Sequence, residues 1–106
     1  MTTWAYRDDV GTRPRSLTGY NVEAADGHIG KIDEASAEAG AAYVVVDTGF
    51  WIFGKKRLIP ASVVERIDDK SRTVYVGMTK GQIKDAPDFD ERHRDLTPYD
   101  KYYSAY

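Results

Sequence analysis

"YNVEAADGHIGKI", Tyr20–Ile32, carries the first clear structural pattern in the chain. Tyr20, Val22 and Ala24 alternate with Asn21 and Glu23, the period-two pattern of a half-buried strand. Asp26-Gly27 then offers the two positive-φ positions of a type I′ hairpin turn. On the return strand Ile29 and Ile32 are three apart, which breaks the alternation. Gly30 lies between them, so a β-bulge there would turn both isoleucines inward. Strongly curved sheets use such bulges to bend.

Outward from this hairpin the chain continues in short extended runs. "EASAEAG", 34–40, favours helix but reaches Gly40 too soon for a stable one, and reads as strand end and turn. "AYVVVDT", 42–48, is rich in β-branched residues and suits a strand buried on both faces. "KKRLIP", 55–60, is a shorter strand closed by Pro60. "VVERID", 63–68, alternates, "DDKS" is a polar turn, and "RTVYV", 72–76, is the last strand. About six strands with short connections predict a small all-β barrel or sandwich.

One short helix, and a possible C-terminal helical turn, are expected after the strands. Thr79 and Gln82 have the spacing of a capping box, with Met78 and Ile83 at the staple positions and Pro87 as the stop. Gly81 inside this helix costs about 1 kcal/mol, so docking must hold it. Further on, Thr97 is placed as N-cap and Pro98 at N1. Tyr99, Tyr102, Tyr103 and Tyr106 then share one helical face, a stripe expected to dock as a turn or two of helix. The expected organisation is an N-terminal arm over 1–16, anchored by Trp4 and Tyr6, a barrel domain over 17–89, and a tail over 90–106 that is first charged and then tyrosine-rich.

Composition narrows the function. The chain has 106 residues, a net charge of −2 and no cysteine. Disulfides and thiolate metal sites are excluded, and wholesale nucleic-acid binding is disfavoured. The N-terminal sequence has no secretory h-region and no apolar run reaches the length of a membrane span, so a cytoplasmic protein is expected. "HRDL", 93–96, matches part of the kinase catalytic loop, but no phosphate loop, paired lysine or DFG stretch accompanies it. His28 and His93 stand far apart without clustered carboxylates, and Asp68 and Asp69 fit a turn in which aspartate bonds its own backbone. No nucleophile has a visible base partner. Neither an enzyme nor a bound cofactor or metal is expected.

The stretches "DGHIGKIDEA" (26–35), "YVVVDTGFWIFGKKRLIPASVVERID" (43–68) and "RTVYVGMTKGQIKDAPDF" (72–89), in this order and spacing, resemble the PRC-barrel family. That family is named for the cytoplasmic domain of the photosynthetic reaction-centre H subunit. The resemblance implies a small, strongly curved β-barrel of about six strands, with one short helix after the last strand and no catalytic apparatus. Its members occur in reaction centres, in ribosome-maturation factors and as stress-related stand-alone bacterial proteins. The sequence before Leu17 offers no membrane helix and no RNA-associated domain, which points to the stand-alone type.

"DTGFWIFGKKRLIP", 47–60, holds the candidate functional residues. Phe50, Trp51 and Phe53, followed by Lys55, Lys56 and Arg57, have the composition of an interface hot spot. Their aromatics could instead plug a barrel end. With Tyr99, Tyr102, Tyr103 and Tyr106 they form the candidate interaction set. The expected function is a protein-interaction module acting as a homodimer or on another protein partner. The alternative is an RNA- or ribosome-associated factor that uses the Lys55–Arg57 basic strand, although the net charge makes a nucleic-acid partner unfavourable.

Overall fold

The computed structural model describes residues 4–6, 16–36, 42–49, 56–87 and 96–104. They form a predominantly β structure with two short helices. The strands are β1 (Asn21–Ala24), β2 (Gly27–Ser36), β3 (Tyr43–Asp47), β4 (Lys56–Pro60), β5 (Val64–Asp68) and β6 (Thr73–Val76). Helices α1 (Lys80–Lys84) and α2 (Thr97–Tyr103) follow. One mixed sheet has the order β4-β3-β2-β1-β6-β5. All its pairs are antiparallel except β1 with β6.

This order forces the sheet to curl. β4 and β5 are its opposite edges, yet a single 3₁₀ turn, Ala61–Val63, joins them. In a flat sheet the edges would stand five spacings apart, about 24 Å. Four Cα steps reach at most about 15 Å. The edges therefore converge where β4 passes into β5. No ladder joins them among the described residues, so the sheet is open at this seam.

The curl is made by bulges. Val22 faces Gly30 and Glu23 faces His28, which leaves Ile29 as an extra residue on β2. Ile29 and Ile32 are both buried, as the Ile-Gly-x-Ile spacing predicts. A second register shift leaves Asp33 extra against β3, and a third leaves Glu65 extra on β5. Gly30 has φ +155°, and a Cβ there would collide with the backbone carbonyl of Asp47. Only glycine lets β3 come so close at this point.

The inner face carries Val22, Ile29, Ile32, Val44, Val46 and Val74, all buried in one cluster with Ile83 of α1. Val45 points to the other face of β3 and is buried too, which matches the expectation of a strand covered on both sides. Trp4 stands edge-on to Tyr43 on that face, at 6.5 Å between ring centroids.

Two local expectations need correction. The hairpin turn is not type I′ at Asp26-Gly27. Ala24 pairs with Gly27, so its apex is Ala25-Asp26, and Arg72 is the one non-glycine residue with positive φ among those described. The Asp26 side chain bonds elsewhere: it accepts the Lys80 N–H at 2.8 Å and so satisfies a free donor at the start of α1. Nor is Thr97 an N-cap. α2 begins at Thr97 with Leu96 as its cap residue and no side-chain cap bond. The capping box of α1 forms as expected, with the Gln82 N–H donating to Thr79 Oγ1 at 3.2 Å and the Thr79 N–H donating to Gln82 Oε1 at 2.9 Å.

Replacing Gly30 by alanine should lower stability in urea unfolding by about 2–4 kcal/mol, since backbone must move to admit the methyl group. Gly49, where a Cβ meets open space, is the contrasting site. There φ is +68°, and the loss should stay near 1 kcal/mol.

Candidate functional site

Of the candidate interaction residues, Lys56, Arg57, Tyr99, Tyr102 and Tyr103 are described; Phe50, Trp51, Phe53, Lys55 and Tyr106 lie outside the described residues. The described ones separate into two groups.

Arg57 is not an exposed cation. Its side chain runs inward from β4 and the residue is only 4% exposed. Nε donates to the Ile83 carbonyl at 3.2 Å and Nη2 to the Lys84 carbonyl at 3.1 Å. Nη1 donates to the carbonyl of Lys56 at 3.1 Å. Ile83 and Lys84 end α1, where carbonyls lack intrahelical donors and the helix dipole is negative. The guanidinium fork satisfies these carbonyls and fastens α1 to β4. Arg57 is thus withdrawn from solvent, and of the Lys55–Arg57 basic strand only Lys56 is seen near the surface among the described residues.

The tyrosines converge on the same corner. Tyr99 and Tyr103 are buried in the main cluster. The Tyr103 hydroxyl donates to the Leu58 carbonyl of β4 at 2.6 Å, and the Tyr102 hydroxyl to the Gln82 carbonyl of α1 at 2.6 Å. The two rings meet edge to face at 5.1 Å. On the other side of α2, Trp4 Nε1 donates to Asp100 Oδ1 at 3.0 Å. The Trp4 carbonyl accepts the Ala42 N–H at 3.0 Å. Residues from the two ends of the sequence thus clasp each other across the β3–β4 hairpin. Tyr99, Tyr102 and Tyr103 of the tyrosine stripe dock as expected, on their own chain.

Lys56 remains near the surface. Its ammonium pairs with Asp33 Oδ2 at 2.9 Å, with 30% of the lysine side chain and 43% of the aspartate side chain exposed. Lys56 faces Asp47 across the β3–β4 ladder. The stem of this hairpin is therefore fixed directly beside the segment that holds Phe50, Trp51 and Phe53. The Gly49 N–H donates to Asp47 Oδ1 at 3.0 Å, which starts the turn out of β3.

A second row was missed in the sequence. His28, Glu23, Tyr75 and Arg66 lie at matched positions across β2, β1, β6 and β5. His28 Nδ1 lies 2.8 Å from Glu23 Oε2, and the Arg66 guanidinium sits 4.1 Å from the Tyr75 ring centroid. The positions are not neighbours in sequence, and the parallel pairing of β1 with β6 is the fact that aligns them. The row is a self-paired polar surface and contains no nucleophile–base pair. No group of three or more metal-ligating side chains occurs among the described residues.

Asp68 takes the turn role expected of it. It accepts the backbone N–H groups of Lys70 at 3.0 Å and Ser71 at 3.4 Å. The Ser71 side chain, the Ser71 backbone, the Lys70 backbone and the Arg66 charge together hold its carboxyl below the ordinary aspartate range, against a smaller opposing effect of desolvation.

The chain matches no protein-family model, and no curated protein is significantly similar to it. No helix among the described residues is long and apolar enough to cross a membrane.

Two measurements check these assignments. Arg57→Met should cost about 2–4 kcal/mol in urea unfolding because one buried and two part-buried carbonyls lose a charged donor, whereas Lys56→Ala should stay within about 1 kcal/mol. For Asp68 the folded form holds the proton less tightly than the unfolded form. Its contribution is therefore present above the ordinary aspartate value and is lost as pH falls through the lowered one. Asp68→Asn should flatten that acid limb in a series of melts below pH 4; an unchanged limb would remove the role given to this turn.

Proposed function

We propose that this chain is a non-enzymatic protein-interaction module of the PRC-barrel type that acts by self-association or by binding another protein. The carrying observation is how the candidate residues divide. Arg57, Tyr99 and Tyr103 are buried in contacts within the chain. Asp47 and Lys56, paired across the hairpin, hold a fixed stem at the two ends of the segment that contains Phe50, Trp51, Ile52 and Phe53. The composition of that segment is that of an interface hot spot, and the reading rests on it.

The PRC-type barrel is part of the same proposal. Its support is the order of the Asp26-Gly27 opening, the Gly30 bulge, the Asp47–Gly49 turn, the Pro60 stop and the helix before Pro87, together with the curled sheet. A stress-related role rests on the resemblance, and a cytoplasmic setting on the lack of a secretory h-region and of a span-length apolar run in the sequence. The RNA-associated reading loses support, because the Arg57 guanidinium is engaged with α1.

Sedimentation equilibrium at micromolar concentration should give twice the chain mass for the wild type. Trp51→Ala should weaken that dimer by about thirtyfold, the effect of losing a 2 kcal/mol hot spot. A wild type that stays monomeric at its highest soluble concentration would exclude self-association through this segment.

A further inference from the structure

We infer that α2 is an edge guard: it keeps the open edge of β4 from pairing with β4 of a second copy of this chain. β4 is an edge strand, and β3 is its neighbour in the sheet. Opposed residues in an antiparallel pair alternate between those that exchange backbone bonds and those whose backbone groups point away. The Tyr103 hydroxyl reaches the Leu58 carbonyl, which places Leu58, and with it Lys56 and Pro60, in the outward set. Pro60 fits there because its missing N–H costs the ladder nothing. Two of these three outward carbonyls carry a side chain: Arg57 on Lys56 and Tyr103 on Leu58.

The occupant follows from the strand itself. A two-fold antiparallel pair centred on Leu58 would set Leu58 against Leu58 of the other copy, with reciprocal N–H and C=O groups, and Lys56 against Pro60. No like charges would face each other across it. The strand is therefore self-complementary at Leu58 once Tyr103 leaves, while the Lys56 carbonyl, which would face a proline without an N–H, keeps its Arg57 donor.

The guard is conditional. α2 has seven residues and no side-chain N-cap bond, too little to persist alone. Its position depends on the buried Tyr99 and Tyr103 rings, the Tyr102 and Tyr103 hydroxyl bonds and the Trp4–Asp100 bond. Loss of these side-chain contacts would bare the edge at Leu58 while leaving the sheet ladders and the Arg57 bonds to α1 intact.

The test uses the full chain in a Trp51→Ala background. This removes the interface proposed for the aromatic segment and leaves Trp4 as the single tryptophan, so the two proposals fail separately. Tyr99→Ser/Tyr103→Ser should red-shift Trp4 fluorescence as α2 undocks. It should also raise the self-association constant at least tenfold, with new hydrogen-exchange protection at the Leu58 amide. Tyr103→Phe/Asp100→Ala, which removes two bonds and no ring, should move the same readouts in the same direction by a smaller amount. It serves as the test if the double serine variant does not fold. Released α2 with unchanged association overturns the inference, as does association that leaves the Leu58 amide unprotected.

Discussion

The close approach of β2 to β3 at Gly30 is the constraint from which the rest of the architecture follows. β2 is the longest strand and pairs with both β1 and β3. With regular alternation, Ile29 and Ile32 would face opposite sides and one would be exposed. The extra residue at Ile29 turns both inward, and the absence of a side chain at Gly30 lets the Asp47 carbonyl sit against the bend. A second bulge at Asp33 repeats the bend four residues on. These bends are what let β4 and β5, at opposite edges of a six-stranded sheet, be joined by a three-residue turn.

A curled sheet that does not close leaves an edge to manage. Here α1 and α2 do so, and neither is long enough to exist without docking. α1 is held at both ends by residues distant in sequence. Asp26 accepts an N–H at its start, and Arg57 donates to carbonyls at its end. Burying a guanidinium is unfavourable in isolation, and here charged hydrogen bonds at the negative end of a helix offset that cost. α2 is held almost entirely by side chains, which makes it the more easily released of the two.

Much of the local structure was legible from residue pattern. The period-two runs, the bulge between Ile29 and Ile32, the capping box at Thr79 and the tyrosine stripe are each set by neighbours within a few residues. Misreadings arose where a side chain has a distant alternative. Asp26-Gly27 suggested a type I′ turn, but Asp26 bonds to Lys80, 54 residues on. Thr97 suggested a cap, but the docking of Tyr99 and Tyr103 sets where α2 lies, and its start follows. The row from His28 to Arg66 was invisible because it depends on a parallel pairing that no local pattern encodes.

Arg57 shows why composition alone misplaces a functional site. Two lysines and an arginine in sequence are equivalent as charges, but not as hydrogen-bond donors. A lysine ammonium is compact and strongly hydrated, and Lys56 stays near water with Asp33. Guanidinium is planar, weakly hydrated and forked, so it can satisfy the splayed carbonyls at a helix end that an ammonium cannot reach together. An arginine on an inward position of an edge strand next to a short helix is thus better read as a cap than as a contact for a partner. The same reasoning applies to tyrosine: its hydroxyl is well suited to an outward-pointing strand carbonyl, and Tyr103 finds one at Leu58. Residues with the chemistry to bind another molecule are first candidates for the free backbone groups of their own chain. Only residues left over from that role are candidates for anything else.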